Sequence, residues 1–213
     1  MKKLILLIAL ALPALLTAQQ RDWANYGRYA EANAQLTTPP AVVFMGNSIT
    51  DFWPTNRPEF FTLNDFIGRG ISGQTSYEMI MRFREDVVRL APAGVVICAG
   101  TNDIAQNLDI PYDEERTLGN ILSMAEIASA NGIQVFLASV LPVTSFQWNP
   151  AITNHKDKIE NLNRRIKEYA DAMIYNMAGA KVLAVSKGDV ITLPEGIYVA
   201  KSGPFAEKFI IRN

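Results

Sequence analysis

Three short loops gather the residues of this chain that could do chemistry. "GNSIT" (46–50) follows an apolar run, "GRGISGQTS" (68–76) follows a weaker one, and "AGTNDI" (99–104) ends a third. Each joins glycine to a hydroxyl or amide side chain. Ser48 would leave its strand through a tight turn into a helix, which displays its hydroxyl at a helix N-terminus, while Gly46 would let a substrate approach the backbone. A serine hydroxyl is barely ionised at neutral pH, so a nucleophilic role needs a base. The sequence holds one histidine, His155, in "AITNHKDKIENLN". It reads as the exposed start of a surface helix and is the one candidate base; Asp157, two residues on, falls on another face of that helix. Each loop also has an ordinary reading: a helix cap at Ser48, a turn at Gly73, a local hydrogen bond at Asn102.

The elements that must position these loops follow from periodicity. Apolar, β-branched runs at 42–46 (VVFMG), 95–99 (VVICA) and 134–140 (QVFLASV) have the length of strands buried on both faces. A shorter strand is expected around Phe66 to Gly68. Between them lie helical patterns. Residues 75–90 align Met79, Phe83, Val87 and Leu90, with Thr75 or Ser76 as cap and Pro92 as stop. Residues 112–130 align Leu118, Ile121, Leu122, Ala125 and Ile127 and end at "NG" (131–132), and a third helix covers about 155–171. Strand and helix alternating in this way predict an α/β fold, a parallel sheet between helical layers. Chemistry in such sheets collects in the loops after the strands' carboxyl ends, where the three loops could converge.

Taken together, Gly46-Asn47-Ser48-Ile49-Thr50, Gly73 in "GISGQTS" and Gly100-Thr101-Asn102-Asp103 resemble the first three blocks of the SGNH, or GDSL-type, hydrolases, with Asn47 where many members carry aspartate. The flavour is that of esterases similar to platelet-activating-factor acetylhydrolase. The resemblance implies a three-layer α/β/α flavodoxin-like parallel sheet. It also implies Ser48 as nucleophile and an oxyanion hole from the backbone N–H of Ser48, the backbone N–H of Gly73 and the side-chain amide of Asn102. The family pattern also calls for a late Asp-x-x-His, and this sequence has none. Two functions from different classes follow. The chain is a secreted serine esterase cleaving small acyl esters, carbohydrate esters among them, or a catalytically weakened homologue that binds a carbohydrate or acyl ligand. Asn47, Trp53 and Trp148 are the candidate substrate-contacting residues. The tryptophans are expected in loops at the cleft mouth, to stack on a sugar or pack an acyl chain, or else to anchor the sheet edge.

Composition bounds the rest. A chain of 213 residues, 49% hydrophobic and 19% charged, buries one sizeable core. With a formal net charge of -1 and no basic run after the first residues, it lacks a nucleic-acid footprint. A small-molecule or carbohydrate ester is the expected partner. No metal and no cofactor is expected: a lone histidine and a lone cysteine offer no zinc spacing, and no phosphate cradle is present. Cys98, inside "GVVICAG", reads as a core thiol. "MKKLILLIALALPALLTA" (1–18) reads as a signal peptide, so the protein is expected outside the cytoplasm, with export machinery as a partner. The α/β domain then spans 19–172. Residues 173–213, with β-prone runs split by "KGD", "PEG" and "SGP", predict a short C-terminal β-hairpin segment and resemble the closing strands of a type IX secretion sorting module.

Overall fold

The computed structural model describes residues 22–170 and, beyond them, the backbone of four strands between 173 and 211; the expected signal peptide lies outside the described residues. The element order is α1 (Ala30–Ala34), β1 (Val42–Gly46), α2 (Ser48–Asn56), α3 (Pro58–Thr62), β2 (Phe66–Gly70), α4 (Ser76–Asp86), β3 (Gly94–Cys98), α5 (Thr101–Ile104), α6 (Glu114–Ala130), β4 (Gln134–Leu137) and α7 (His155–Ala170). The strands form one parallel sheet in the order β2-β1-β3-β4. This is the α/β fold expected from the sequence. The strand order reverses direction between β1 and β3, the position where open sheets place their ligand crevice.

Alternation along β1 shows why both faces are covered. Val43 and Met45 join Val95, Ile97 and Val135 in a core closed by Met79 and Phe83 of α4, Ile121 and Met124 of α6, and Leu162 of α7. Phe44 points the other way, into a cluster with Trp53, Phe60, Phe61 and Phe66 from α2, α3 and β2. A strand buried on both sides needs an unbroken apolar run, and that is how β1 reads.

Helix ends follow local chemistry. At α4 the Glu78 carboxylate receives both the backbone N–H and the hydroxyl of Thr75, 2.8 and 3.1 Å away, closing a capping box. The helix stops at Asp86, earlier than the expected Leu90, and Val88–Leu90 continue as one 3-10 turn. Met79, Phe83, Val87 and Leu90 are buried all the same. On α6 the buried stripe is Leu118, Ile121, Met124, Ala125 and Ala128, while Leu122 and Ile127 lie half-buried at its margin. Strand β4 ends at Leu137, three residues short of expectation. The cause is Asn163 of α7, whose side chain takes the Val140 N–H at 2.7 Å and donates to the Val140 carbonyl at 2.9 Å. Those two bonds replace ladder partners with a helix-held loop.

After α7, strands β5 (Met173–Asn176), β6 (Lys181–Ala184), β7 (Gly196–Ser202) and β8 (Phe205–Ile211) form an antiparallel sheet in the order β6-β5-β7-β8. The β-hairpin segment expected from the sequence extends to four strands, because β5 pairs with both β6 and β7.

Candidate active site

Register brings the three loops to one edge. Gly46, the last residue of β1, is paired with Gly70, the last of β2, and with Cys98, the last of β3. Adjacent strands lie about 4.8 Å apart. The chain segments carrying Ser48, Gly73 and Asn102 therefore leave the sheet side by side from the same level.

Ser48 is the first residue of α2 and half-buried. The preceding Asn47 is 1% exposed and caps the helix, its side-chain oxygen accepting the Ile49 N–H at 3.1 Å. This corrects the expectation of a substrate contact at Asn47: the side chain is spent on the helix end and shielded from solvent. The reading of Gly46 changes as well. A Cβ there would run into the Thr50 hydroxyl, so the glycine makes room for the first turn of α2 and not for substrate. Asp51, on that turn, accepts the backbone N–H and hydroxyl of Ser72 at 3.0 and 2.7 Å and pairs with Arg28 at 3.3 Å. One carboxylate thereby ties the Ser48 helix to the loop that holds Gly73.

Gly73 adopts φ +82, a left-handed conformation that glycine takes without strain. Its carbonyl accepts from the Asn107 amide at 3.0 Å, which fastens the turn to the segment after α5. The Asn102 side chain donates to the Gln74 carbonyl at 2.8 Å and is 3% exposed. Gln74 is gripped in turn, its side chain accepting from Arg82 at 2.6 Å and donating to the Ala24 carbonyl at 2.9 Å. Arg82 is fully buried and also donates to the carbonyls of Gly46 and Arg69 and to Asp86, at 3.2, 2.9 and 2.8 Å. A single guanidinium thus reaches the end of the Ser48 strand and the Gly73 loop.

Asp103 completes the support. Its carboxylate receives the backbone N–H of Ser76 at 3.0 Å and the Ser76 hydroxyl at 2.5 Å, so it sits at the N-terminus of α4. Burial pushes its pKa above the ordinary 3.8, against the opposing pull of the Ser76 bonds. The native state therefore keeps this proton to higher pH than the unfolded chain does, and stability falls as pH rises upward from 3.8. Thermal unfolding of the full chain and of Asp103→Asn across that range checks this: wild type is expected to lose stability relative to the variant as pH increases. A constant difference would mean that Asp103 titrates alike in both states.

Residues 44–189 match the GDSL-like Lipase/Acylhydrolase family. An acylhydrolase structure from Bacteroides fragilis NCTC 9343 is similar at 55% identity and a TM-score of 0.69, over 71% of this chain and 74% of that one. A GDSL-like lipase structure from Bacteroides thetaiotaomicron VPI-5482 is similar at 56% identity and 0.67, over 69% and 73%. The chain belongs to the GDSL-like lipase/acylhydrolase family. It is an ester hydrolase by membership. A Streptococcus pneumonia structure described as a platelet activating factor shares the fold at 24% identity and a TM-score of 0.57, over 68% and 67%. No curated protein matches the sequence.

Within this GDSL-like hydrolase Trp53 is the remaining sequence candidate that lies in a different element from the one expected. Trp53 is not in a loop: it lies on α2 and stacks on Phe60 at 5.4 Å with planes 1° apart, edge-on to Phe44 at 5.3 Å. It packs with Phe44, Phe60 and Phe61 on the β2 side of the sheet and keeps 37% of its surface exposed. Trp148 is in a loop, 60% exposed, with its ring nitrogen donating to Asn107 at 2.7 Å. Through Asn107 it is one residue removed from Gly73. His155 begins α7 as expected but is half-buried, packed on Phe146 at 5.6 Å. Its Nδ1 lies 3.2 Å from the Ile152 carbonyl, which assigns the proton to that nitrogen. Cys98 is partly buried, and burial raises its thiol pKa, as suits an inert thiol. Among the described residues no group of three His, Cys, Asp or Glu is gathered closely enough to hold a metal ion.

The sequence reading missed the N-terminal strap, residues 22–36. Tyr29 donates to the Gly70 carbonyl, Tyr26 to the Met81 carbonyl at 2.8 Å, and Asn33 to Asp86 at 2.8 Å while accepting from Arg69 at 2.7 Å. Arg69 also stands 4.8 Å over the Tyr29 ring. The strap has no hydrophobic periodicity, and its tyrosine and asparagine residues gain meaning only against the elements they fasten.

Proposed function

We propose that this hydrolase cleaves small acyl esters, including acyl groups on carbohydrates, through an acyl-serine intermediate on Ser48. The supporting observation is the register of Gly46, Gly70 and Cys98, which sends the loops of Ser48, Gly73 and Asn102 out of one sheet edge. In the reaction Ser48 Oγ adds to the ester carbonyl carbon, and the backbone N–H groups of Ser48 and Gly73 receive the oxyanion that forms. One N–H of the Asn102 amide is engaged by Gln74, and the other is the third donor. Collapse expels the alcohol, which carries away the serine proton. Water then adds to the acyl-serine, releasing the carboxylic acid and restoring the hydroxyl. The exposed Trp148 ring offers a sugar or acyl chain its flat face.

With no Asp-x-x-His in the sequence, proton transfer from Ser48 is the weak step. Oxyanion stabilisation and binding alone leave a rate about 10³-fold over water. Slow turnover is the expectation, and the same absence favours a second reading, a weakened homologue that binds a carbohydrate or acyl ligand. Hydrolysis of a nitrophenyl acetate ester by the full chain separates the two. Measurable turnover lost in Ser48→Ala, and reduced about 10²- to 10³-fold in kcat by Asn102→Ala, supports the esterase. A rate no different from Ser48→Ala leaves the binder. His155→Ala is expected to leave turnover unchanged, since its Nδ1 faces the Ile152 carbonyl and its ring packs on Phe146; abolished turnover would identify it as the base.

A further inference from the structure

Helix α2 is seated on β2 at two glycines. A Cβ at Gly68 would meet the Pro54 ring, and one at Gly70 would meet the backbone of Thr50 and Asp51. The face that carries Thr50 and Pro54 is therefore pressed to the sheet, and this contact fixes how α2 is turned about its axis. At about 100° per residue, Ser48 and Phe52 stand roughly 40° apart, and Phe52 stands about 160° from both Thr50 and Pro54. Thr50 is buried, while Phe52 is 58% exposed. The ring contacts that join Trp53 to Phe44, Phe60 and Phe61 pass Phe52 by. Its ring stands on the outer face of the helix, the face that also carries Ser48.

A lone exposed phenylalanine is ordinary surface. Phe52 is set apart by its spacing from Ser48. Residues i and i+4 of a helix have Cβ atoms about 5–6 Å apart, and helical side chains lean toward the N-terminus. The Phe52 ring therefore leans toward Ser48, the first residue of α2. The charge beside it is already engaged, since Asp51 accepts from Ser72 and pairs with Arg28. That leaves an apolar surface one helical turn from the nucleophile. We propose that Phe52 is a specificity-determining residue that seats an alkyl chain of the ester, an inference that rests on Ser48 as the nucleophile. An acetyl methyl stops short of the ring, and a chain of several methylenes reaches it. Either the acyl or the alcohol part of an ester can carry such a chain, and the experiment tells them apart.

The test compares wild type, Phe52→Gln and Phe52→Leu. A methylene covered on one side adds about twofold, so the four that separate hexanoate from acetate add on the order of tenfold. The ratio of kcat/KM for nitrophenyl hexanoate to that for nitrophenyl acetate is expected to fall by about this factor in Phe52→Gln and to recover in Phe52→Leu. Hexyl acetate against ethyl acetate reads the alcohol side in the same way. A fall in one series assigns the chain to that part of the ester; unchanged ratios in both would overturn the proposal, as would an equal loss on long and short esters. Saturation-transfer NMR of ethyl hexanoate and hexyl acetate with Ser48→Ala reads the same contact without turnover. Transfer to the methylenes of one ester, weakened when Phe52→Gln is added, is expected; equal transfer with and without Phe52→Gln would overturn the proposal. Hydrolysis no faster in wild type than in Ser48→Ala would remove the esterase reading by itself, and the NMR comparison would still decide the contact.

Discussion

Arg82→Met is expected to lower the stability of the chain by about 3–5 kcal/mol, the usual cost of breaking a buried ion pair by removing one partner. Both side chains of the pair are sealed, at 0% and 1% exposure, so removing the guanidinium leaves the Asp86 carboxylate buried with the Asn33 amide as its remaining side-chain donor. The Gly46 and Arg69 carbonyls and the Gln74 side chain lose a donor at the same moment. Urea unfolding of wild type and variant measures the loss. The double change Arg82→Met with Asp86→Leu is expected to recover a substantial part, because it removes the stranded charge along with its partner. A single-variant loss below about 1 kcal/mol, the value of one ordinary hydrogen bond, would show that water substitutes for the guanidinium. Activity should fall further than stability predicts, since the same group steadies both the Ser48 strand and the Gly73 loop.

Gly70→Ala is expected to be the most damaging single methyl in the described domain. A Cβ at this position stands 2.6 Å from the Asn47 carbonyl and closer still to backbone atoms of Thr50 and Asp51. Those atoms belong to the cap and first turn of α2, so no side-chain rotation relieves the clash. Overpacking costs about 1–3 kcal/mol when neighbours can shift, and here the neighbour is the backbone that presents Ser48. The expected result is a loss at or above the top of that range, or a folded protein with α2 displaced. In the second case ester hydrolysis falls while circular dichroism stays native-like. Unchanged stability together with unchanged turnover would show that α2 is less firmly seated on β2 than this packing implies.

The two predictions mark a boundary between local and non-local information. The β1 strand, the α4 and α6 faces and the "NG" stop are legible because each rests on neighbours a few residues apart: a buried strand reads as an apolar run, a helix as a 3.6-residue stripe. The three polar loops are legible for the same reason, since each lies directly after a strand. The roles of Asn47 and Trp53 are not. Whether an asparagine beside a serine meets substrate or caps a helix depends on where its side chain turns. The choice was made by the free Ile49 N–H at the helix end and by the burial around it. Trp53 was drawn away from the cleft by Phe60, Phe61 and Phe44, which reach it from a second helix and a strand.

By itself, then, the sequence determined the elements, their alternation into a parallel α/β sheet, and the three loops that mark a GDSL-like hydrolase. The tertiary structure decided how those loops are held. Arg82 meets Gly46 across 36 residues of chain and Gln74 meets Ala24 across 50. No local pattern encodes such pairs, because a buried polar group is satisfied by whichever partner the packed sheet carries to it, and that partner exists only once the strands are in register.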